Sequence, residues 1–326
     1  MYRLRRIHFI GIGGAGMSGI AAVLRNLDYE ISGSDLNASA ATRALEKAGV
    51  KIALGHDAAN VEGAEAVVFS SAIAPDNPEL AAARRRGLPV VPRATMLNEL
   101  MRLRQGIAVA GSHGKTTITS MIASVLHEAG LDPTYVVGGL VRKFGSHAGL
   151  GKGEFIVVET DESDGSFLNL SPVIAVASNI DADHLETYGQ DIQRLKRAFV
   201  DFFEKLPFYG VAVMCHDDER LAAAGAMVSK RVLSYGLRAP QADFRARDIK
   251  MAGGRAEFTL EAPYGSRAAT LPALGAHNVS NSLAAFAVAH EVGVAPDDAV
   301  GALANFAGVG RRMEMHGEVA IGEATA

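Results

Sequence analysis

The sequence predicts an α/β protein in which an N-terminal Rossmann-like domain with a parallel sheet precedes a P-loop-type central domain with a mixed sheet. Short apolar runs alternate with helical patterns along residues 7–104, as they do where helices cover a parallel sheet. Glycine-rich turns near residues 11 and 111 each join such a run to a helix. The 326 residues also exceed what one hydrophobic core usually supports. We therefore expect domains at residues 1–104 and 105–313, with an exit segment at 314–326.

The first elements predict a diphosphate site. A strand at Ile7–Ile12 leads through a G-x-G-x-x-G pattern, Gly11–Gly16, into a helix. Its glycines let backbone N–H groups approach a diphosphate at the helix N-terminus. Asp35 follows a second strand, Tyr29–Ser34, where dinucleotide-binding folds place a carboxylate that binds ribose. NAD and a UDP-sugar both fit this pattern, and these residues alone leave the choice open.

Hydroxyl groups follow the next strand of the first domain. Ser70 and Ser71 stand at the carboxyl end of the strand predicted at Ala66–Ser70, and open α/β sheets bind ligands at such ends. A serine-capped turn would explain them equally well. Helices are expected at Gly16–Leu27, Ala40–Ala48, Glu79–Gly87 and Thr95–Arg104.

The turn after the strand Ile107–Ala110 predicts a phosphate loop at the start of the second domain. Gly111 and Gly114 leave backbone N–H groups free to face an anion at the N-terminus of a helix that extends to about residue 130. Lys115 adds a positive charge, and Thr116 offers a hydroxyl to a magnesium ion between nucleotide phosphates. The spacing is a shorter variant of G-x-x-x-x-G-K-[ST]. An ordinary glycine-lined turn with an exposed lysine is the alternative.

Polar clusters follow two further strands. Four acids occur within residues 159–164, directly after the buried strand Phe155–Val158. They suggest a hard-cation site, because magnesium prefers oxygen ligands, although a solvated acidic loop is the alternative. A second cluster, residues 178–184, follows the strand Val173–Ala177 and ends in His184. Both clusters and the phosphate loop fall on one edge of a parallel sheet, so we expect them to converge.

The remaining elements of the second domain include residues 207–273, in which we find no recognisable chemistry. A strand at Thr134–Val137 precedes a glycine-rich loop at residues 138–153, which we interpret as a solvated hairpin, although such a loop can also close over a ligand. The later elements are expected to extend the sheet and to add an antiparallel edge. Strands are expected at Gly210–Met214, Arg231–Tyr235 and Ala256–Leu260, and helices at Asp218–Ala224, His277–His290 and Pro296–Phe306.

Composition excludes several classes of protein. With 48% hydrophobic residues, 21% charged residues and a net charge of −4, the chain is globular and lacks the basic surface of a nucleic-acid-binding protein. Five glycines within the uncharged run Ile7–Leu24 argue against a membrane-inserted helix there. The single cysteine, Cys215, excludes an internal disulfide and fits a reducing cytoplasm. We therefore expect neither a nucleic-acid nor a membrane partner.

The motifs together resemble the Mur ligases, the ATP-dependent amide-forming enzymes of peptidoglycan synthesis, and among them the branch that joins L-alanine to UDP-N-acetylmuramate. The similar stretches occur in family order at residues 11–21, 110–117, 159–167, 178–188, 275–281 and 308–314. The phosphate loop resembles the family's G-T-H-G-K-T-T-T-T but carries Ser112 and Ile118, which are conservative changes.

The resemblance implies a division of ligands between the two glycine loops. It implies that the first loop binds the diphosphate of UDP-N-acetylmuramate, not NAD, through Gly11, Gly13, Gly14, Ala15, Gly16, Met17, Asp35, Ser70 and Ser71. It implies that ATP is bound by Gly111, Ser112, His113, Gly114, Lys115, Thr116, Thr117, Asn278, Asn281 and Arg312. Asn278 and Asn281 would face the adenine, although the sequence alone favours a helix-capping role for both. The implied Mg²⁺ ligands are Thr116, Glu159 and His184, and the implied catalytic residues are Lys115, Glu159, His184 and Asn179.

The reaction that the resemblance implies is phosphoryl transfer followed by acyl substitution. The lactyl carboxylate attacks the γ-phosphate of ATP, and the amine of L-alanine then displaces phosphate from the acyl phosphate. Mur ligases continue into a further domain, whereas this chain stops at Ala326, so we expect a truncated ligase that cannot complete amide formation alone. The alternatives are a murein tripeptide recycling ligase, an NAD oxidoreductase and a nucleotide-binding module without activity.

Overall fold

A computed structural model describes residues 4–183, 185–309, 320–321 and 324–325 of the chain. Most of these residues belong to two open α/β sheets that follow one another along the chain, with five and ten strands. Ala320–Ile321 and Ala324–Thr325 form a separate short antiparallel pair. In the described part of the chain, no helix is both long and apolar enough to cross a lipid bilayer.

The first sheet is entirely parallel, with strand order β3-β2-β1-β4-β5. Its strands are β1 (Arg6–Ile10), β2 (Glu30–Asp35), β3 (Lys51–Leu54), β4 (Ala66–Phe69) and β5 (Val90–Pro92). Its helices are α1 (Ala15–Asn26), α2 (Ala40–Lys47), α3 (Pro78–Arg85) and α4 (Arg93–Met101). Strands β1, β2 and β3 are added toward one edge of the sheet, and β4 and β5 toward the other, so β1 and β4 flank the topological switch point. Open α/β sheets bind ligands outside the carboxyl ends of such a strand pair.

The second sheet is mixed, with strand order β15-β14-β13-β12-β11-β10-β6-β9-β7-β8. Its strands are β6 (Gln105–Ala110), β7 (Thr134–Val141), β8 (Ser146–Gly149), β9 (Phe155–Glu159), β10 (Ile174–Ala177), β11 (Val211–Cys215), β12 (Arg231–Gly236), β13 (Phe244–Ala252), β14 (Arg255–Ala262) and β15 (Gly265–Leu271). Its helices are α5 (Lys115–Glu128), α6 (Ile192–Glu204), α7 (Glu219–Gly225), α8 (Ala276–Glu291) and α9 (Pro296–Ala304).

The two edges of the second sheet are antiparallel, and its centre is parallel. Strands β13, β14 and β15 form one antiparallel edge, and β7 with β8 forms the other. Strands β10, β6 and β9 lie side by side in parallel, so their carboxyl ends meet at one edge of the sheet. The predicted fold class is confirmed. The hairpin interpretation of residues 138–153 is confirmed, because β7 and β8 form an antiparallel pair, whereas the predicted end of the strand at Val137 is wrong, because β7 continues to Val141.

The β7–β8 hairpin also connects the two sheets, because helix α1 packs on it. A Cβ placed on Gly19 of α1 would lie 3.1 Å from both Ala148 Cβ and Val136 Cγ1. A larger residue at position 19 would have to push these neighbours away by a few tenths of an ångström. The hairpin is therefore partly covered by α1, and this contact holds the loop before α1 near the ends of β6 and β9.

Candidate functional site

A cavity of about 470 Å³ lies between the carboxyl ends of the two sheets. The first sheet and its helices contribute Gly14, Gly16, Met17, Ser70, Ser71 and Arg93 to its wall. The second sheet and its loops contribute Ser112, Lys115, Val136, Val137, Gly138, Glu159, Thr160, Asp161, Glu162 and Ser163. Residues that the sequence assigned to two different nucleotides thus line one space.

The glycine loop of the first sheet occupies the switch between β1 and β4. The N–H groups of Gly11 and Ile12 donate to Ser34 O at 2.9 and 3.0 Å, and Gly11 has a φ of +78°, which favours glycine. Helix α1 begins after Gly14 without a side-chain cap. Its first N–H groups therefore have no side-chain acceptor, and they form a site suited to an anion.

Asp35 lies against this loop and fixes its shape. Its Oδ2 accepts the N–H of Gly13 at 2.8 Å, and its Oδ1 accepts the N–H of Asn37 at 3.2 Å. A Cβ on Gly13 would lie 2.8 Å from the same Oδ2, so position 13 has no room for a side chain. Both carboxylate oxygens already accept backbone hydrogen bonds. A direct contact between Asp35 and a ribose stays a prediction.

Ser70 and Ser71 follow β4 on the opposite side of the switch. Ser70 Oγ accepts the N–H of Ala72 at 3.4 Å, and Ser70 O accepts the N–H of Ile73 at 3.0 Å. The serine-capped turn considered from the sequence is therefore present. Both serines also line the cavity, so the turn presents them to whatever occupies it.

The phosphate loop connects β6 to α5 in a conformation that requires glycine. Gly111 and Gly114 have φ values of +124° and +86°, in the left-handed region that other residues rarely adopt. A Cβ on Gly111 would collide with Ser178 Oγ. Helix α5 begins after Gly114 with no side-chain cap, so its first N–H groups are available to an anion.

Asn179, at the end of β10, orients this loop. Its Oδ1 accepts the N–H of His113 at 2.8 Å, and its Nδ2 donates to His113 O at 3.1 Å. Ser178 Oγ donates to the same carbonyl. Asn179 was predicted among the catalytic residues, and the structure places it on the backbone of the phosphate loop.

Lys115 has three acceptors in this structure. Its Nζ donates to Gly111 O at 2.6 Å, to Glu162 Oε1 at 2.9 Å and to Ser112 O at 3.4 Å. Burial raises the pKa of the Glu162 carboxyl, and the neighbouring charge of Lys115 opposes that rise only in part. Glu162 Oε2 is buried and has no hydrogen-bond partner. The pair is therefore costly to bury, and we expect its geometry to respond to a ligand.

Thr116 and Glu159 place oxygen atoms side by side at the cavity wall. Thr116 Oγ1 donates to Glu159 Oε1 at 2.9 Å, and the N–H of Gly138 donates to Glu159 Oε2 at 2.6 Å. A hydroxyl and an oriented carboxylate next to a phosphate loop are the donors that a hard cation such as Mg²⁺ prefers. The predicted third ligand, His184, lies outside the described residues, as does Arg312.

His113 forms a separate cluster with two acids. Its Nε2 lies 3.5 Å from Asp181 Oδ2 and 3.6 Å from Asp183 Oδ2. Among the described residues, this is the one group of three histidine or acidic side chains close enough to share a metal ion. All three side chains are at least half exposed, and Asp181 also lies 3.6 Å from Arg220. The geometry is that of an exposed ion-pair cluster.

The start of α8 lies beside the phosphate loop. Asn281 is buried, and its Oδ1 would lie 2.8 Å from a Cβ on Gly114. Asn278 Nδ2 donates to Leu274 O at 2.7 Å. Helix α8 begins after Gly275, and no side chain accepts a hydrogen bond from its first N–H groups. The helix-capping interpretation of both asparagines is therefore wrong. Their contact with an adenine stays a prediction.

Two residues of the cavity wall were missed from the sequence. Arg93 is the first residue of α4, directly after β5, and neither β5 nor this helix start was predicted. Gly138 was assigned to a loop, whereas it lies within β7 and donates to Glu159. A strand predicted through Val90–Pro92 would have placed Arg93 at a carboxyl end, where ligands bind.

Two family models match successive parts of the chain. A model described as the catalytic domain of the Mur ligase family matches residues 6–105, and one described as the Mur ligase middle domain matches residues 109–289. The chain belongs to the Mur ligase family. The resemblance inferred from the sequence motifs is confirmed.

Relatives of this Mur ligase include proteins with named activities. It is 58% identical over 323 residues to the UDP-N-acetylmuramate--L-alanine ligase of Azoarcus sp. (strain BH72), which covers 98% of this chain and 69% of that protein. The UDP-N-acetylmuramate-alanine ligase structure from Thermotoga maritima has a TM-score of 0.86 at 28% identity, covering 96% of this chain and 71% of that one. The UDP-N-acetylmuramate:L-alanyl-gamma-D-glutamyl-meso-diaminopimelate ligase from Neisseria meningitides has a TM-score of 0.85 at 28% identity. The match covers 94% of this chain and 100% of that one.

Proposed function

We propose that this Mur ligase joins L-alanine to the lactyl carboxylate of UDP-N-acetylmuramate, at the expense of ATP, in peptidoglycan synthesis. The observation that carries the proposal is the shared cavity, in which the glycine loop before α1 and the phosphate loop before α5 face one space. The 58% identity to an L-alanine ligase supports the choice of substrates. UDP-N-acetylmuramate and ATP are cytoplasmic nucleotides, and we place the reaction in that compartment.

In this proposal residues 1–104 bind the UDP-sugar. The uncapped N-terminus of α1 presents the backbone N–H groups of Gly13, Gly14, Ala15, Gly16 and Met17 to the diphosphate. Asp35 keeps Gly13 in place through its hydrogen bond, and Ser70 and Ser71 offer hydroxyls from the other side. The sugar can then extend from the diphosphate toward the second sheet.

Residues 105–313 bind ATP in this proposal. The N–H groups at the start of α5 and the ammonium group of Lys115 receive the phosphates. Thr116 and Glu159 have the oxygen atoms that would bind Mg²⁺. When bound, the ion would neutralise part of the negative charge of the phosphates. Asn179 keeps the loop in shape through His113, and we assign Asn278 and Asn281, at the start of α8, to the adenine.

The cavity then supports two consecutive displacements. A lactyl carboxylate oxygen forms a bond to the γ-phosphorus of ATP, and the bond from that phosphorus to ADP breaks. The amine nitrogen of L-alanine next adds to the acyl-phosphate carbonyl, loses a proton, and phosphate leaves as the amide forms. Lys115 contributes by positioning and by its charge, which are the main sources of catalysis in phosphoryl transfer.

Calorimetry and a phosphate-release assay test this function. We expect UDP-N-acetylmuramate and MgATP to bind at separate sites and no binding of NAD, and we expect any phosphate release to require L-alanine and both nucleotides. NAD binding without UDP-sugar binding would support an oxidoreductase and would overturn the proposal. Binding of both nucleotides with no phosphate release would instead support a nucleotide-binding chain without activity.

The second candidate function is that of a murein peptide ligase. It is favoured by the Neisseria meningitides structure, whose TM-score of 0.85 nearly equals the 0.86 of the alanine ligase. The two reactions share the UDP-sugar and ATP and differ in the amine. Competition between L-alanine and the L-alanyl-γ-D-glutamyl-meso-diaminopimelate tripeptide in the same assay separates them, and we expect L-alanine to be preferred.

A further inference from the structure

We propose that Arg93 binds an oxyanion of the UDP-sugar, and that Gly16 leaves room beside α1 for the Arg93 guanidinium group. The inference rests on the proposed function and adds a residue outside the sequence stretches on which the family resemblance rests. Arg93 is the first residue of α4 and follows β5, which pairs with β4 in the first sheet. Its side chain lines the cavity together with Gly16, Ser70 and Ser71.

The guanidinium group of Arg93 lies against the first turn of α1. A Cβ on Gly16 would be 2.9 Å from Arg93 Nη1, 3.5 Å from its Cδ and 3.7 Å from its Cζ. Gly16 does not have a positive φ, so its backbone conformation does not require glycine. The space that a side chain would need is instead filled by Arg93. An alanine at position 16 would therefore displace the end of the flexible Arg93 side chain and move its guanidinium group.

This position gives Arg93 a charge with no partner among the described residues. Among the residues that the structure describes, its side chain makes no hydrogen bond and no ion pair. It is only partly exposed, and it lies at a helix N-terminus, whose dipole also disfavours a cation. A guanidinium group carries five N–H donors in a planar arrangement that matches a carboxylate or a phosphate. An anion in the cavity would satisfy both the guanidinium and the helix terminus.

The acids on the opposite wall of the cavity already have other partners. Glu159 accepts from Thr116 and from the backbone of Gly138. Glu162 accepts from Lys115, and Asp161 accepts two hydrogen bonds from Ser163. Lys115 is fully occupied as well, whereas Arg93 is not. Of the two cationic side chains that line the cavity, Arg93 is thus the one available to a ligand arriving from the side of the first glycine loop.

The UDP-sugar has two groups of the required chemistry. Its diphosphate is expected at the N-terminus of α1, and its lactyl carboxylate lies further along the cavity. Both are oxyanions that an arginine can bind with two parallel hydrogen bonds. The two sources differ in which nucleotides carry them, because UDP and UDP-N-acetylglucosamine have the diphosphate but not the lactyl carboxylate.

Calorimetry on the full chain distinguishes these sources. We expect Arg93→Ala to weaken binding of UDP-N-acetylmuramate by about tenfold or more, which is typical of a lost charge-assisted hydrogen bond. A matching loss for UDP and UDP-N-acetylglucosamine assigns Arg93 to the diphosphate, and a loss confined to UDP-N-acetylmuramate assigns it to the carboxylate. Arg93→Lys should recover only part of the affinity, because lysine lacks the planar pair of donors.

Three further measurements control this experiment. Arg85→Ala removes an exposed arginine from α3, outside the cavity, and should change no affinity. MgATP affinity should stay within about twofold in every variant, which shows that the second sheet is intact. Gly16→Ala should weaken UDP-N-acetylmuramate binding by no more than Arg93→Ala does, because the flexible guanidinium can shift, and the double variant should add little to Arg93→Ala, because both changes act on one guanidinium.

The outcomes separate this inference from the proposed function. If wild-type protein binds no UDP nucleotide, the proposed function fails, and the assignment of Arg93 fails with it. If wild-type protein binds UDP-N-acetylmuramate and Arg93→Ala binds it equally tightly, only the assignment of Arg93 is overturned. A loss of MgATP binding equal to the loss of UDP-sugar binding would also overturn it, since it would indicate general damage.

Discussion

The ammonium group of Lys115 lies 2.9 Å from the Glu162 carboxylate, in the wall of the cavity that we assign to UDP-N-acetylmuramate and ATP. An ammonium group has three N–H donors, and the carbonyl oxygens of Gly111 and Ser112 accept the other two. A phosphate can therefore bind Lys115 only by replacing one of these acceptors. Of the three acceptors, Glu162 competes most strongly with a phosphate for Lys115, because it is the one that carries a negative charge.

Glu162→Gln is expected to raise the affinity for MgATP several-fold near neutral pH, because the amide competes less well for Lys115. Burial raises the pKa of Glu162, so protonation discharges the wild-type residue at a higher pH than an exposed glutamate. The ratio of variant to wild-type affinity should then be largest at neutral pH and approach one as the pH falls through this raised pKa. Titration calorimetry over a pH series measures the ratio, in which the titration of ATP itself cancels.

The matched control for this prediction is Glu154→Gln, which alters an exposed glutamate outside the cavity. It should leave the affinity for MgATP unchanged at every pH. A Glu162→Gln variant that binds MgATP no more tightly than wild type at neutral pH would show that Glu162 does not compete with the phosphates.

Lys115→Ala is expected to weaken MgATP binding by about tenfold to about a hundredfold, since a hydrogen bond to a charged group contributes about 1.5–3 kcal/mol. Affinity for UDP-N-acetylmuramate should stay within about twofold, because the first glycine loop is built by other residues. Lys152→Ala, which removes an exposed lysine outside the cavity, is the control. Equal loss of both ligands in calorimetry would contradict the assignment of two sites.

The central elements of the fold were predictable because their sequence patterns are long or distinctive. The run Ile107–Ala110 is fully buried, and the glycine-lysine turn after it marks the start of α5. Strands β3 and β5 were missed, since Lys51–Leu54 and Val90–Pro92 span only four and three residues and are partly exposed. Runs this short have too few residues to show a strand period.

Part of the cavity wall was predictable from the sequence, but the contacts between its residues were not. The strand ends correctly identified Lys115 and Glu159 as wall residues of one cavity. The sequence could not reveal that Gly138 orients Glu159, because that hydrogen bond joins residues 21 positions apart in the chain. Arg93 was missed for a similar reason, since its relation to Gly16 depends on how α4 packs beside α1.

Gly138→Ala tests the orientation of Glu159. The new Cβ would lie 2.7 Å from Glu159 Oε2, so the carboxylate must turn away from Thr116. We expect the gain in ATP affinity that Mg²⁺ provides to fall by about tenfold, while ATP binding without Mg²⁺ changes little. Calorimetry with and without Mg²⁺ measures this difference. Gly301→Ala, where a Cβ meets nothing within 4 Å, is the control and should retain the full Mg²⁺ effect.

A second buried carboxylate, Glu79 at the start of α3, belongs to the stability of the first sheet. It is fully buried, and its Oε2 lies 3.1 Å from His8 Nε2 and accepts from Ser34 Oγ at 2.7 Å. Its Oε1 accepts from Asn60 Nδ2 at 2.7 Å. Burial alone would raise its pKa, but the hydrogen bonds from His8, Asn60 and Ser34 together outweigh burial and lower the pKa to about 2. The folded state therefore favours the charged carboxylate.

Acid should remove the stability that Glu79 contributes, and Glu79→Gln should remove it at every pH. Because the folded pKa lies below the usual 4.5, the contribution is complete above that value and is lost as the pH falls toward about 2. A fall from 4.5 to about 2 corresponds to about 3 kcal/mol of unfolding free energy. Urea unfolding at a series of pH values should thus show Glu79→Gln less stable than wild type by about this amount near neutral pH, with the difference shrinking below pH 4.5. Glu46→Gln, on the exposed face of α2, is the control and should have the wild-type unfolding free energy at every pH. If the unfolding free energy of Glu79→Gln instead changes with pH in parallel with wild type, other carboxylates cause the acid sensitivity.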